Sequence, residues 1–292
     1  MKYWEKLSKT IFKLAARKSL KKFQANSLES VLKNSLKLLD TQTIDEIKDF
    51  IKSQHTKQGG FADKGGKCDL YYTLFGCYIT EALDITELMP NLRNYVKEII
   101  HSSKLEGVYL HSAAILYAKL FEYETLPSNL VLQVKNDLAK PENSKAIYSN
   151  FLSLITYYYL EEYTELYKIQ RRIKTQEIAG AMPCSVAAAK LVLDFSFGKP
   201  VKELETKIHS FYRKNGSFAA LQKAPIGDLL STGVSLYALK FAKADLRLVT
   251  PDCLKFVDSL YTNGGFCATH LDLDPDVEYT FYALLALGAL TN

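Results

Sequence analysis

Gly264-Gly265-Phe266, nine residues of loop, Asp276-Val277-Glu278-Tyr279-Thr280 and then Phe281-Tyr282-Ala283-Leu284-Leu285-Ala286-Leu287 make up most of the last thirty residues of the chain. A glycine turn precedes an Asp-x-x-x-Thr, and the threonine leads into a run that is apolar on every face. The same order occurs twice more, as Gly59-Gly60-Phe61 with Asp69-Leu70-Tyr71-Tyr72-Thr73, and as Gly216-Ser217-Phe218 with Asp228-Leu229-Leu230-Ser231-Thr232. From Phe to Asp is ten residues in two copies and eight in the other, while Asp to Thr is four in all three. A loop that varies before a helix start that does not is the mark of a structural repeat.

Outward from these copies the chain alternates between two kinds of helix. Amphipathic faces are spelled by Ile44, Ile47, Phe50 and Ile51 behind a Thr43/Glu46 capping box, by Leu92, Tyr95, Val96 and Ile99, and by Leu130, Val134 and Leu138. Leu166 to Ile173 gives a fourth, Pro200 opens a fifth, and Thr250-Pro251 a sixth. Between them lie Leu70 to Leu83, Tyr109 to Phe121, Ile147 to Leu160, Pro183 to Phe195, Leu229 to Phe241 and Val277 to Leu290, apolar nearly all round. A helix without a polar face must be covered on every side. An open solenoid would leave one side of that set wet, so the pattern predicts an all-α (α/α)6 toroid, six inner and six outer helices, over residues 43–292.

Residues 1–42 are expected to be a basic amphipathic helical extension. They hold ten Lys/Arg against three acids, which leaves the remainder net acidic although the chain carries +5. That local charge gives no case for nucleic acid as a partner. The stripe Trp4, Leu7, Ile11 and Leu14, ringed by lysines, has two readings: packing on the main domain, or contact with an anionic membrane surface. No run approaches the length of a spanning helix and no continuous apolar leader is present, so a cytoplasmic or membrane-peripheral protein is expected. Five scattered cysteines without a C-x-x-C pair argue against a disulfide framework and a structural zinc cluster.

Parallel inner helices would bring six N-termini to one mouth, where unpaired N–H groups favour a phosphate or diphosphate. Loops expected at that mouth carry Lys64, Lys104, Lys140, Arg172, Lys174, Arg213 and Lys223, and Arg213 and Lys223 are candidate diphosphate ligands. Below it, Tyr71, Tyr72, Phe75, Tyr78, Tyr109, Tyr117, Tyr148, Tyr157, Tyr158, Tyr237, Tyr279 and Tyr282 would line a cavity suited to a greasy ligand, or simply fill a core. Asp69, Asp228 and Asp276 read as N-caps. Glu278 stands where the other copies have Tyr71 and Leu230. Facing the cavity it would be a proton donor with a raised pKa; facing solvent, a first-turn acid favouring the dipole. Asp272, Asp274 and Asp276 with His270 are a weak candidate for a divalent ion, and the lone His111 reads as a hydrogen-bonding group in the core or at the rim.

The glycine turn, Asp-x-x-x-Thr and Ala/Leu-rich helix of Gly264 to Leu290 resemble the prenyltransferase and squalene-oxidase repeat of protein prenyltransferase β-subunits and class II terpene cyclases. The resemblance implies an isoprenoid-processing enzyme with the polyprenyl chain in the aromatic cavity. In the β-subunits the repeat holds a catalytic zinc through Asp-x-Cys and a later His. Those positions fall here on Asp228-Leu229-Leu230 and on Tyr72 or Tyr279, so zinc is not expected. In the cyclases the middle acid of Asp-x-Asp-Asp-Thr protonates the isoprenoid; Asp276-Val277-Glu278-Tyr279-Thr280 keeps an acid there and replaces the last Asp by Tyr279. What the resemblance implies is Glu278 as the acid, Asp276 as its support, and Tyr71, Tyr72, Tyr279 and Tyr282 lining the pocket. No cofactor is expected beyond Mg2+ with a diphosphate substrate, and a partner subunit is compatible with the β-subunit likeness. A zinc-independent prenyltransferase is the nearest variant; the alternative is a non-catalytic barrel that binds an isoprenoid, a peptide or a partner protein.

Overall fold

A computed structural model describes residues 2–102, 104–122, 124, 127–140, 146–173 and 182–291; for residues 2–9, 15, 16, 18, 172 and 173 it describes the backbone alone. Lys174 and the side chains of Trp4, Leu7 and Arg172 therefore lie outside the described residues. The chain is mostly helical. An amphipathic set comprises α3 (Thr41–Ser53), α5 (Met89–Ser102), α7 (Ser128–Ala139), α9 (Tyr163–Ile173), α11 (Lys202–His209) and α13 (Thr250–Asp258). It alternates with an apolar set, α4 (Leu70–Ala82), α6 (Gly107–Leu120), α8 (Ile147–Tyr159), α10 (Cys184–Ser196), α12 (Leu229–Phe241) and α14 (Val277–Leu290). Two N-terminal helices, α1 (Lys2–Ala25) and α2 (Leu28–Ser35), precede them.

The repeated motif has one physical purpose, which is to seat a buried phenylalanine beneath a helix start. Phe61, Phe218 and Phe266 are buried, and each pairs across an antiparallel bridge with the aspartate that follows, Asp69, Asp228 or Asp276. Burial would orphan the phenylalanine N–H, at a cost of roughly 1–3 kcal/mol. The threonine prevents that. Thr73, Thr232 and Thr280 Oγ1 accept from Phe61, Phe218 and Phe266 N at 2.9, 2.9 and 3.1 Å, and each hydroxyl donates to the backbone oxygen of its own aspartate. The aspartate side chains cap the helices: Asp69 accepts from Tyr71 and Tyr72 N, Asp228 from Ser231 N and Asp276 from Tyr279 N. At the first glycine the chain turns with positive φ directly against the backbone of an amphipathic helix. A Cβ on Gly59 would lie 2.7 Å from the Asn91 oxygen of α5, and one on Gly264 2.6 Å from the Glu46 oxygen of α3.

Within the apolar set each helix packs on the next, α4 on α6, α6 on α8, α8 on α10, α10 on α12 and α12 on α14, and α14 packs in turn on α4. Their ends correspond. First-turn Tyr71 of α4 meets Glu278 of α14, and last-turn Tyr78 of α4 meets Tyr159 of α8. The amphipathic helices bury their stripes on this set: α3 on α4, α5 on α6, α7 on α6 and α8, α9 on α8, α11 on α10 and α13 on α14.

The basic extension is built into the same core. Phe23, Val31 and Leu32 are buried with it, α1 packs on α9 and α10, and α2 on α14 and α4. Gly288 of α14 is the contact that lets α2 approach, since a Cβ there would run into the Val31 carbonyl. The inward face of α1 carries Phe12, stacked on Tyr167 at 5.5 Å, and Phe23, on Tyr158 at 4.6 Å. Ile11 and Leu14, by contrast, are 55% and 62% exposed, so the part of the expected stripe that is described faces away from the body. Among the described residues no helix is long and apolar enough to cross a membrane.

Candidate functional site

A cavity of ≈ 310 Å3 is lined by residues of all six apolar helices and by Leu28 of α2. That volume lies at the lower end of the range for small-molecule sites. On α4 the lining runs from Tyr71 through Phe75 to Tyr78, two turns or about 10 Å of depth. Tyr148, Phe151, Phe281 and Tyr282 add further aromatic wall, while Ala188 and Ala189 of α10 and Ser112 of α6 leave the space open. The tyrosines keep their rings in the cavity and their hydroxyls at its ends. Tyr71 donates to Glu278 Oε1 at 3.3 Å, Tyr78 to the Tyr159 hydroxyl at 2.7 Å, and Tyr237 to the Asn26 oxygen at 2.9 Å.

Of the aromatic residues expected to line it, Tyr71, Phe75, Tyr78, Tyr148, Tyr237 and Tyr282 do so. Tyr109 turns to the rim and donates to Asp69 Oδ2 at 3.1 Å, and Tyr117 turns out to Glu124. Tyr72 and Tyr279 stand beside Glu278 at the N-terminal end, and the Tyr279 ring lies under Lys64 Nζ at 4.9 Å.

That end is where the acids gather. Burial pushes the Glu278 carboxyl above its ordinary range, the nearby Asp276 adds to the rise, and the Tyr71 and Tyr72 hydroxyls and Lys64 oppose it. Asp276 is itself 4% exposed, and burial raises it too against the pull of the Tyr279 N–H and of Lys64. Asp276 Oδ1 is the cap, whereas its Oδ2 meets Lys64 Nζ at 3.4 Å and has no hydrogen-bond partner among the described residues. Tyr279 is pushed up to about 12 by burial and these acids, so its hydroxyl stays protonated.

The cations expected to receive a diphosphate are largely engaged with neighbouring groups. Lys64 pairs with Asp276 and Asp272, Lys104 with Glu106 at 2.8 Å and Lys140 with Asp137 at 2.7 Å. Arg213 directs its guanidinium at backbone oxygens of Phe211, Tyr212, Leu221, Gln222 and Ala224, bracing the loop before α12. Lys223 is exposed on that same loop. Of the alternating aspartates, Asp272 and Asp276 meet at Lys64, where Asp272 also accepts from Thr269 N and Oγ1, while His270 meets Ser259. Among the described residues no group of three or more His, Cys, Asp or Glu could hold a metal ion. His111 is buried in the core between Thr156 and Asp137, and burial lowers its pKa.

The opposite, C-terminal end carries a cluster the sequence reading missed. Lys119 of α6, with a side chain 5% exposed, pairs with Glu29 of α2 and, at 2.8 Å, with Glu81 of α4. Tyr159 donates to Glu29 at 2.6 Å, and Lys119 Nζ lies 4.4 Å from the centre of the Tyr78 ring. The signal was present: Lys119 and Glu81 are lone charges in the last turns of helices apolar elsewhere, and such charges need partners. Nothing local in the sequence tied Glu29 to them. No family model, curated protein or solved structure matches the chain.

Proposed function

We propose that the chain closes as an (α/α)6 toroid and that its central aromatic cavity binds the hydrocarbon of an isoprenoid, which Glu278 protonates to start a cyclisation. The observation that carries this reading is a buried acid whose carboxyl is raised above its ordinary range and which accepts a hydrogen bond from a cavity-lining tyrosine. Support for the closed ring comes from α14 packing back on α4 and from the third glycine turn landing on α3, the first amphipathic helix. In this scheme Glu278 gives its proton to the terminal double bond, the next double bond attacks the carbocation, and a proton lost to water leaves a cyclic isomer. Solvent then reprotonates Glu278. Tyr71, Phe75, Tyr148 and Tyr282 present ring faces to the cation. Asp276 supports the acid by raising it further.

The acids at this end would repel an uncompensated diphosphate, so a substrate carrying one would need Mg2+ to offset its charge while Glu278 keeps its proton. A neutral polyene needs none. Prenyl transfer to a small acceptor without zinc is a variant of the same scheme.

The test is native mass spectrometry and thermal shift with geranyl, farnesyl and geranylgeranyl diphosphates, with and without Mg2+, and with the corresponding polyenes, followed by extraction of products. Binding with a new cyclic product in the wild type, and binding without product in Glu278→Gln, is expected; turnover unchanged in the variant removes Glu278 as the acid. One observation favours a second reading, a non-catalytic barrel for an isoprenoid, a peptide or a partner protein: Glu278 reaches the cavity through Tyr71 and does not itself line it. Binding with no product from either form would establish that reading.

A further inference from the structure

The cavity has a floor, and the floor is made by the N-terminal segment. Residues 22–35 meet the C-terminal end of every apolar helix. Lys22 Nζ donates to the Phe195 oxygen of α10 at 2.6 Å, Phe23 stacks on Tyr158 of α8 and Phe241 of α12, and the Asn26 oxygen accepts from Tyr237 of α12. Glu29 holds Lys119 of α6, which also holds Glu81 of α4, and the Asn34 oxygen accepts at 3.2 Å from Thr291, just beyond α14. With its backbone and charges held by these contacts, this turn presents one side chain to the cavity, Leu28, which shares the lining with Tyr78 and Tyr237.

We propose that Leu28 is the depth stop of the cavity and so sets the length of hydrocarbon chain it accepts. The inference rests on a chain-binding cavity and names what limits it. The two hydroxyls beside Leu28 are turned away from the cavity, Tyr78 to Tyr159 and Tyr237 to Asn26, so the end of the site is apolar and suits a methyl-terminated tail. A chain longer than the distance from Glu278 to Leu28 would have to displace a segment anchored at six helix ends. A shorter one would leave unfilled space and lose contacts. Because the stop is a leucine side chain and not backbone, changing its size moves the floor without touching the acid.

The experiment compares full-length wild type, Leu28→Ala and Leu28→Phe for binding of a ladder of straight-chain alcohols from octanol to eicosanol and of geraniol, farnesol and geranylgeraniol. Circular dichroism and thermal unfolding confirm that each variant is folded. Leu28→Ala should move the tightest-binding length upward, and Leu28→Phe should weaken the longest chain the wild type holds by at least about tenfold. The same length optimum in all three proteins overturns the proposal, as does the absence of binding by any chain. A Leu28-dependent optimum seen only with straight-chain alcohols removes the isoprenoid reading and leaves the depth stop standing. Prenyl alcohols that bind with no Leu28 dependence do the reverse.

Discussion

The two ends of the cavity hold buried charge in opposite ways. At the C-terminal end Lys119 lies between Glu29 and Glu81, with Tyr159 completing the shell of Glu29, and the positive charge also suits the helix C-termini. At the N-terminal end Glu278 has tyrosine hydroxyls for partners, and Asp276 Oδ2 has a lysine at 3.4 Å and no hydrogen bond among the described residues. Lys119, shared by two carboxylates, fastens α2, α4 and α6 together, and burial still raises Glu81; at the other end burial raises Glu278, whose hydrogen-bond partners are hydroxyls. Both ends are built from the same apolar helices, one closed by an ion-pair cluster and the other by hydroxyls around an acid.

The largest effect should come from undoing the paired end. Lys119→Met keeps the stem and strands two carboxylates in the interior, so chemical denaturation should show a loss of about 3–5 kcal/mol. A loss near zero would mean that Glu29 and Glu81 take up protons or water at no cost, and the contrast between the ends would fail. Next comes the motif that seats the N-terminal end. Thr280→Val removes the acceptor for the Phe266 N–H and should cost about 1–3 kcal/mol, with Thr73→Val and Thr232→Val costing similar amounts because the same bonds recur.

A smaller effect separates the ends by pH. With its pKa raised, Glu278 binds its proton more tightly in the folded protein than in the unfolded chain. Its contribution to stability is therefore complete below the unfolded carboxyl value of about 4.3 and is lost as pH rises through the folded value. Glu278→Gln is free of that loss, so its melting temperature should gain on the wild type over the range above about pH 4. A constant difference across that range would show that Glu278 ionises freely.

Much of the scaffold was legible because periodicity reports burial. All-round apolar runs such as Leu229 to Phe241 became the helices that line the cavity, and the capped, striped runs became those covering them. The glycine, aspartate and threonine were legible as a repeat, yet their reason, an N–H that the threonine satisfies, lies in a contact across the turn that no sequence spacing spells out. Which tyrosines face the cavity was not legible either, since a helix apolar all round gives no phase: Tyr117 and Tyr78 look alike in sequence and point apart. The part played by residues 22–35 was hidden because basic composition dominated the reading, while the contacts that matter come from Phe23, Leu28 and Glu29, far in sequence from their partners.

The most direct test of the acid at the cavity mouth is isotopic. Protonation of a double bond leaves one solvent-derived hydrogen in the product, so incubation with a polyprenyl substrate in D2O, followed by mass spectrometry of the extract, reads the step itself. A cyclic product carrying one deuterium with the wild type, and none formed by Glu278→Gln, is the expected result. A product without deuterium, or a deuterated one that persists in the variant, would contradict the assignment of Glu278 as the proton donor.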